Sequence, residues 1–253
     1  MTKSHSPVFR RPESPRCQPA GGRAAFTLTE LLVVMAIMIT LMGFVAPAFT
    51  GMKGAGDVTK AAYDIAGALE NARSYAIAKN TYVWVGFFEE SAAASVPGTA
   101  GTGRVVVGAV ASRDGTKIYD PASPAALPGN SLVPVNKLVK LDNMHLKTFS
   151  AGTGTGGGFD ARPTVSGSGA QIGDDLASGA SLTPFTTGQY KFTKAIEFNP
   201  RGEARMNNAG SSLQPVVEIG LQPAHGESAD TANKNVAAVQ VTGVAGNVKI
   251  YRR

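Results

Sequence analysis

The chain has 253 residues, with 24 Lys and Arg against 18 Asp and Glu, and a formal net charge of +6. Its 30 glycines, 15 prolines and 17% charged residues suit a β-rich, loop-rich domain better than a helical enzyme. A single cysteine, Cys17, excludes a disulfide framework within the chain and a Cys-based metal site.

Residues 1–25 carry Lys3, Arg10, Arg11, Arg16 and Arg23 against Glu13, contain Cys17 and have no apolar run. They read as a leader peptide. The leader holds five of the 24 basic and one of the 18 acidic residues, so the remaining chain is only +2. The positive balance is therefore weak support for a nucleic-acid partner.

Residues 26–49, FTLTELLVVMAIMITLMGFVAPAF, follow as an apolar stretch. As a helix it would extend about 36 Å at about 1.5 Å per residue, against a bilayer core of about 30 Å. This predicts a transmembrane helix. The basic flank would hold the N-terminus in the cytoplasm and send the C-terminal body to the periplasm. A secretory signal has the same basic start and apolar stretch, and Ala46-Pro47-Ala48 offers a small-residue cleavage site after Ala48. On these features a span and a cleaved signal both stay open. Glu30 is the one charge in the stretch, unhelpful to a plain signal and costly in hydrocarbon without a partner.

Ala25-Phe26-Thr27-Leu28-Thr29-Glu30-Leu31-Leu32 resembles the cleavage and methylation motif of type IV prepilins and type II secretion pseudopilins. Ala25 stands where that family usually has glycine. The resemblance implies that a prepilin peptidase cuts between Ala25 and Phe26 and methylates the new Phe26 amine. It also implies that Glu30 aligns the subunit by pairing with the Phe26 amine of a neighbour in a filament. Two opposite charges in a low-dielectric helical core attract strongly, and either one alone is costly. The competing reading of Glu30 is a snorkelling or protonated side chain near a membrane surface.

Gly43, Pro47, Gly51, Gly54 and Gly56 predict a kink or melted turn over 43–56. Asp57 then reads as the cap of a second, amphipathic stalk helix, the whole segment being 50–80. Val58, Ala61, Ala62, Ile65, Ala68, Leu69, Ala72, Tyr75 and Ala76 give it one apolar stripe that packs on the domain's own sheet. From 81 to 253 the pattern is β-rich. Candidate strands are 81–88, 104–111, 116–120, 137–149, 190–199, 215–222, 236–243 and 247–251, separated by long loops at 91–103, 121–134 and 150–189. No helix interleaves them, which predicts an antiparallel sheet or β-sandwich. The expected fold class is α+β and pilin-like: a long N-terminal helix, transmembrane in its first half, packed on that β domain.

The elements Ile196-x-Phe198-x-Pro200-x-Gly202 and Gly246-x-Val248-x-Ile250 are similar to the minor pseudopilin H and FimT group. The specific match covers about the first 60 residues after the cut, and the β region matches loosely. The insertions at 91–103 and 150–189 resemble a divergent branch, such as cassette-encoded prepilin-like proteins. The resemblance implies a structural, non-catalytic pilin or pseudopilin of a type II secretion or type IV pilus-like filament. Its partners would be the prepilin peptidase, other pilin subunits, the inner membrane and the assembly machinery.

Chemistry-bearing motifs are sparse. His145 and His225, the histidines outside the leader, have no carboxylate or nucleophile at a recognisable spacing. Hydrolase, zinc-protease and P-loop signatures do not occur. Gly152, Gly154 and Gly157 spell G-x-G-x-x-G with Asp174 beyond, but no helix can follow to hold a pyrophosphate, so a loop is expected. Asp174-Asp175 lacks the ligand spacing of a calcium loop, and neither cofactor nor metal is expected. The tail Lys249-Ile250-Tyr251-Arg252-Arg253 allows an alternative, DNA contact through Arg252 and Arg253 as in an uptake pilus, against an ordinary solvated end. A periplasmic β-domain protein exported and cut after Ala48 is the remaining alternative.

Overall fold

A computed structural model describes residues 27–118, 126–155, 157–165, 168–174, 185–206 and 213–253, without the side chains of 44–56. The leader, Ala25, Phe26 and Asp175 lie outside the described residues. The chain divides into two compact units, Met1–Pro47 and Ala48–Arg253.

One helix, α1, runs Leu28–Lys79. The backbone stays helical through Gly43, Pro47 and Gly51, which corrects the expected melted turn. Proline removes one backbone donor, and the neighbouring rungs are enough to carry the helix past it. Asp57 is consequently an interior helical residue instead of a cap, and its carboxylate accepts from Asn143 Nδ2 at 3.2 Å. Asn80, in the left-handed region at φ 50°, follows the last turn.

Thirteen strands follow among the described residues. They are β1 (Val83–Ser91), β2 (Gly103–Ser112), β3 (Leu132–Pro134), β4 (Val139–Leu146), β5 (Gln171–Ile172), β6 (Phe185–Thr187), β7 (Tyr190–Phe192), β8 (Lys194–Phe198), β9 (Ala204–Met206), β10 (Val216–His225), β11 (Ser228–Ala229), β12 (Ala237–Thr242) and β13 (Val248–Arg252). Eleven of them form one sheet with the path β13-β12-β10-β4-β2-β1-β8-β9, while β3 adds to β2 and both β5 and β11 add to β10. Only the β5–β10 pair is parallel. β6 and β7 make a separate hairpin.

On the inner face of the sheet, Val58, Ala61, Ala62, Ile65, Leu69, Ala72 and Ala76 of α1 are buried, as the stripe predicts. They meet Val83, Val85 and Phe87 of β1, Val105 and Val107 of β2, Ile196 and Phe198 of β8, and Val217, Ile219 and Leu221 of β10. Alanines along the stripe let the helix backbone come close to the strands. The outer face is covered too: Phe185, Tyr190 and Phe192 pack with Trp84, Val106 and Val110. Gly86 and Gly108 are register partners across β1 and β2, and a Cβ at either would come within 2.6–2.7 Å of Phe192. Cover on both faces explains why β1 and β2 read as continuous apolar runs instead of alternating ones.

The expected fold class is therefore corrected. Among the described residues no helix is long and apolar enough to cross a membrane, which overturns the transmembrane first half. The β region is one large antiparallel sheet with a hairpin laid on it, not a sandwich. Among the described residues the remaining helical elements are two short 3-10 turns, Gly129–Ser131 and Ser168–Ala170. Residues 116–118 form no strand, whereas β3, β5 and β6 lie inside segments read as loops.

Replacing Leu69 by Ala removes a fully buried side chain and should cost about 2–5 kcal/mol. Gly86→Ala should cost about 1–3 kcal/mol by overpacking against Phe192. Tyr63→Ala, on the exposed side of α1, should stay within about 0.5 kcal/mol. Urea unfolding of the full chain, followed by Trp84 fluorescence, measures all three.

Candidate functional site

The start of α1 is built by a reciprocal cap. Thr27 Oγ1 accepts from the Glu30 backbone N–H at 3.3 Å, while Glu30 Oε2 accepts from the Thr27 backbone N–H and from Thr27 Oγ1, each at 2.9 Å. Thr27-x-x-Glu30 is thus a capping box, with the carboxylate also at the positive end of the helix dipole. The sequence carries this signature in the Thr27-x-x-Glu30 spacing. Beyond it, every large apolar side chain from Leu28 to Met42 is at least 43% exposed, all around the helix. Exposed apolar surface on this scale marks an interaction site.

The β unit gathers its carboxylates into pairs that no sequence spacing announces. Glu218 in β10 and Arg162 are both buried, with Nε–Oε2 at 2.6 Å and Nη2–Oε1 at 3.2 Å. Gln171 and Gln240 donate to the same carboxylate at 3.2 and 2.7 Å. Glu90, buried in β1, accepts from the Gly98 N–H at 2.8 Å, Arg104 Nη1 at 3.0 Å and the Tyr190 hydroxyl at 3.1 Å. Burial pushes its carboxyl up, but these donors and Lys140 outweigh that and hold it below the usual range. Glu197 is different: burial dominates and raises its pKa, although Lys117, Arg205 and a 3.1 Å hydrogen bond from Trp84 Nε1 oppose the rise.

Both histidines acquire acidic partners only through folding. His145 Nδ1 lies 2.7 Å from Glu89 Oε1, and His225 Nε2 lies 3.3 Å from Asp230 Oδ2. Ser91 donates to Glu227. The Glu89–His145 and Ser91–Glu227 pairs tie distant strands together, whereas His225 and Asp230 are five residues apart around one turn. The terminal arginines are engaged as well: Arg252 Nη2 donates to Asn235 Oδ1 at 3.2 Å, and Arg253 Nη2 meets Asp160 Oδ1 at 2.5 Å. A DNA contact through them would first have to displace these partners. The Gly152-x-Gly154-x-x-Gly157 loop is followed by a turn, not a helix. Asp174 accepts from Lys147 Nζ and from the Thr148 N–H; burial raises its carboxyl, and those donors win, leaving it below the usual range. Among the described residues no group of His, Cys, Asp and Glu is arranged to hold a metal ion.

The two family-like β elements converge. Asn199 accepts from the Arg201 and Glu203 N–H groups at 2.9 and 3.0 Å, closing the Pro200-Arg201-Gly202 corner with Gly202 at φ 80°. Gly246, at φ 63°, donates to Thr242 O at 2.7 Å. Arg73 of α1 lies against both turns and donates to Gly202 O at 3.4 Å, and a Cβ on Gly246 would run into Arg73 and Gly202.

Glu197 generates a pH prediction. Its folded pKa lies above the unfolded value of about 4.3. Its contribution to stability is therefore full below the unfolded pKa and is lost as pH rises through the raised folded one. Glu197→Gln removes that loss, so the stability difference should move in favour of the variant as pH rises from about 4. The single tryptophan, Trp84, reports it in denaturant titrations. A difference independent of pH would refute the assignment.

Comparison with known proteins finds no match to any family, to any curated protein or to any solved structure.

Proposed function

We propose that the chain is a prepilin-like subunit, cut between Ala25 and Phe26 by a prepilin peptidase and assembled through the start of α1 into a type II secretion or type IV pilus-like filament. It acts as a structural, non-catalytic component outside the cytoplasm. The observation that supports this most directly is the bare apolar surface from Leu28 to Met42, which starts within the Thr27-Glu30 cap and the motif Phe26-Thr27-Leu28-Thr29-Glu30. Such a surface is stabilised by packing against the same surface of other subunits, as helices do when their apolar sides interlock. The reading rests on burial between subunits and asks for no membrane crossing by α1.

The capping box changes what Glu30 contributes. Its carboxylate already has two donors within its own subunit, so a neighbour's Phe26 amine would be an additional partner. In a helical core of low dielectric that second, charged partner still strengthens the assembly and sets register.

Mass spectrometry of the protein from cells that contain prepilin peptidase should find Phe26 as a methylated N-terminus. A chain beginning at Phe49 would instead mark an ordinary secretory signal and sink the proposal. Two substitutions separate the cap from the charge. Glu30→Leu should impair incorporation into filaments, and Glu30→Gln, which keeps the capping geometry, should impair it to a similar degree. Full incorporation of the Gln variant would show that the cap matters and the charge pair does not.

A further inference from the structure

The two ends of the large sheet differ. At β9, three residues long, the Ala204 N–H is already bonded to Gly243 O at 2.7 Å. At the other end β13 pairs with β12 alone, in a register running from Ala237↔Arg252 to Val241↔Val248. The bonds that flank this register fix which groups face β12: Thr242 N–H donates to Asn247 O at 3.0 Å, and Arg253 N–H to Val236 O at 3.1 Å. Bonded and non-bonded pairs alternate in an antiparallel ladder, so Lys249 and Tyr251 also turn their main chain toward β12. The N–H and C=O groups of Val248, Ile250 and Arg252 therefore point away from the sheet, with no backbone partner among the described residues. Val248 and Ile250 are only half-buried against the inner core, and a cleft lined by Glu70, Arg73, Ser74 and Asn247 lies beside the start of the strand. Charge marks the same edge. Lys249 and Arg252 are exposed, with Lys249 Nζ 4.8 Å from the Tyr251 ring centre and Arg252 bonded to the neutral Asn235. Neither has a carboxylate partner among the described residues, whereas Arg253 has Asp160.

We propose that β13 is a receptor edge, to which an extended acidic segment of a partner protein adds as a further strand. An open edge supplies main-chain hydrogen bonds to an added strand, and the side chains that alternate along it select which strand is taken. Carboxylates belong opposite Arg252 and Lys249, and apolar side chains opposite Ile250 and Val248. In an antiparallel addition this spells acidic-x-apolar-acidic-apolar. The same cations disfavour a second copy as the occupant, because two β13 edges would bring the Lys249 and Arg252 of both chains into one seam. Duplex DNA, attracted by the same charges, has no peptide groups with which to complete the ladder. The edge belongs to the β unit and offers the same groups whether or not the chain enters a filament.

Fluorescence anisotropy of labelled peptides with the full chain tests this. The probe SETVEVS sets its glutamates opposite Arg252 and Lys249 and its valines opposite Ile250 and Val248, and SKTVKVS is its charge control. The acidic probe should bind about tenfold more tightly, and joint Lys249→Glu and Arg252→Glu substitution should reverse the order. Methylating the backbone nitrogen of the first valine, whose N–H would donate to Ile250 O, should weaken binding about tenfold with every charge kept. Equal binding of the two peptides, or binding of neither, would overturn the proposal. Undiminished binding of the methylated probe would reduce it to charge attraction and overturn it too. Ile250→Pro, which leaves the bonds to β12 in place, should abolish peptide binding. A fall in the sedimenting mass of this variant without peptide would instead show an edge paired with a second copy, against the proposal.

Discussion

The apolar stripe of α1 against the inner face of the sheet is the constraint from which the rest of the β unit follows. Val58, Ile65 and Leu69 provide bulk, and Ala61, Ala62, Ala72 and Ala76 provide closeness, all of them buried among residues of β1, β2, β8, β10 and β12. Strands from distant parts of the chain share one face because one helix supplies the surface on which they bury it. Arg73 extends the same contact to the turns at Gly202 and Gly246. Gly202 and Gly246, both at positive φ, stand against Arg73 in conformations that glycine adopts without strain.

Cover on the second face decides how charge is handled. Once the β6–β7 hairpin and the residues around Phe159 and Arg162 lie over the outer surface, strand residues that would otherwise face water are enclosed. Glu90 meets this by collecting enough donors to hold its carboxyl below the usual range, and Glu218 accepts from Arg162, Gln171 and Gln240. At Glu197 burial outweighs Lys117, Trp84 and Arg205 and pushes the carboxyl toward its neutral form. The pairs hold particular loops in particular places, which is the role for which buried polar networks are best suited.

The start of α1 obeys the opposite logic. Its carboxylate is satisfied locally by Thr27, while its apolar side chains have nothing to cover them within the subunit. A helix that is apolar all around is stable only when other surfaces enclose it. This end of the helix keeps its hydrogen bonds in order by itself, while its apolar side chains stay uncovered.

Much of this architecture is legible in the chain. The stripe from Val58 to Ala76 follows from helical spacing, and β1, β2, β10, β12 and β13 follow from segments rich in β-branched or aromatic residues. The cap at Thr27 and Glu30 is legible as well, since it depends on residues three apart. The signals fail where the determining contact is remote. Gly and Pro at 43–56 read as a break, yet the helix passes through them. β3, β5 and β6, two or three residues each, are too short to show a period and exist because a longer strand or hairpin partner holds them. Arg162 and Glu218 are 56 residues apart, and Glu89 and His145 are equally distant. Local sequence determined which segments are helix or strand and which face of each is apolar, because those preferences act within a few residues. Tertiary structure alone decided which carboxylate met which base, and that both faces of the sheet would be closed, because those outcomes depend on surfaces that come together only when the whole unit packs.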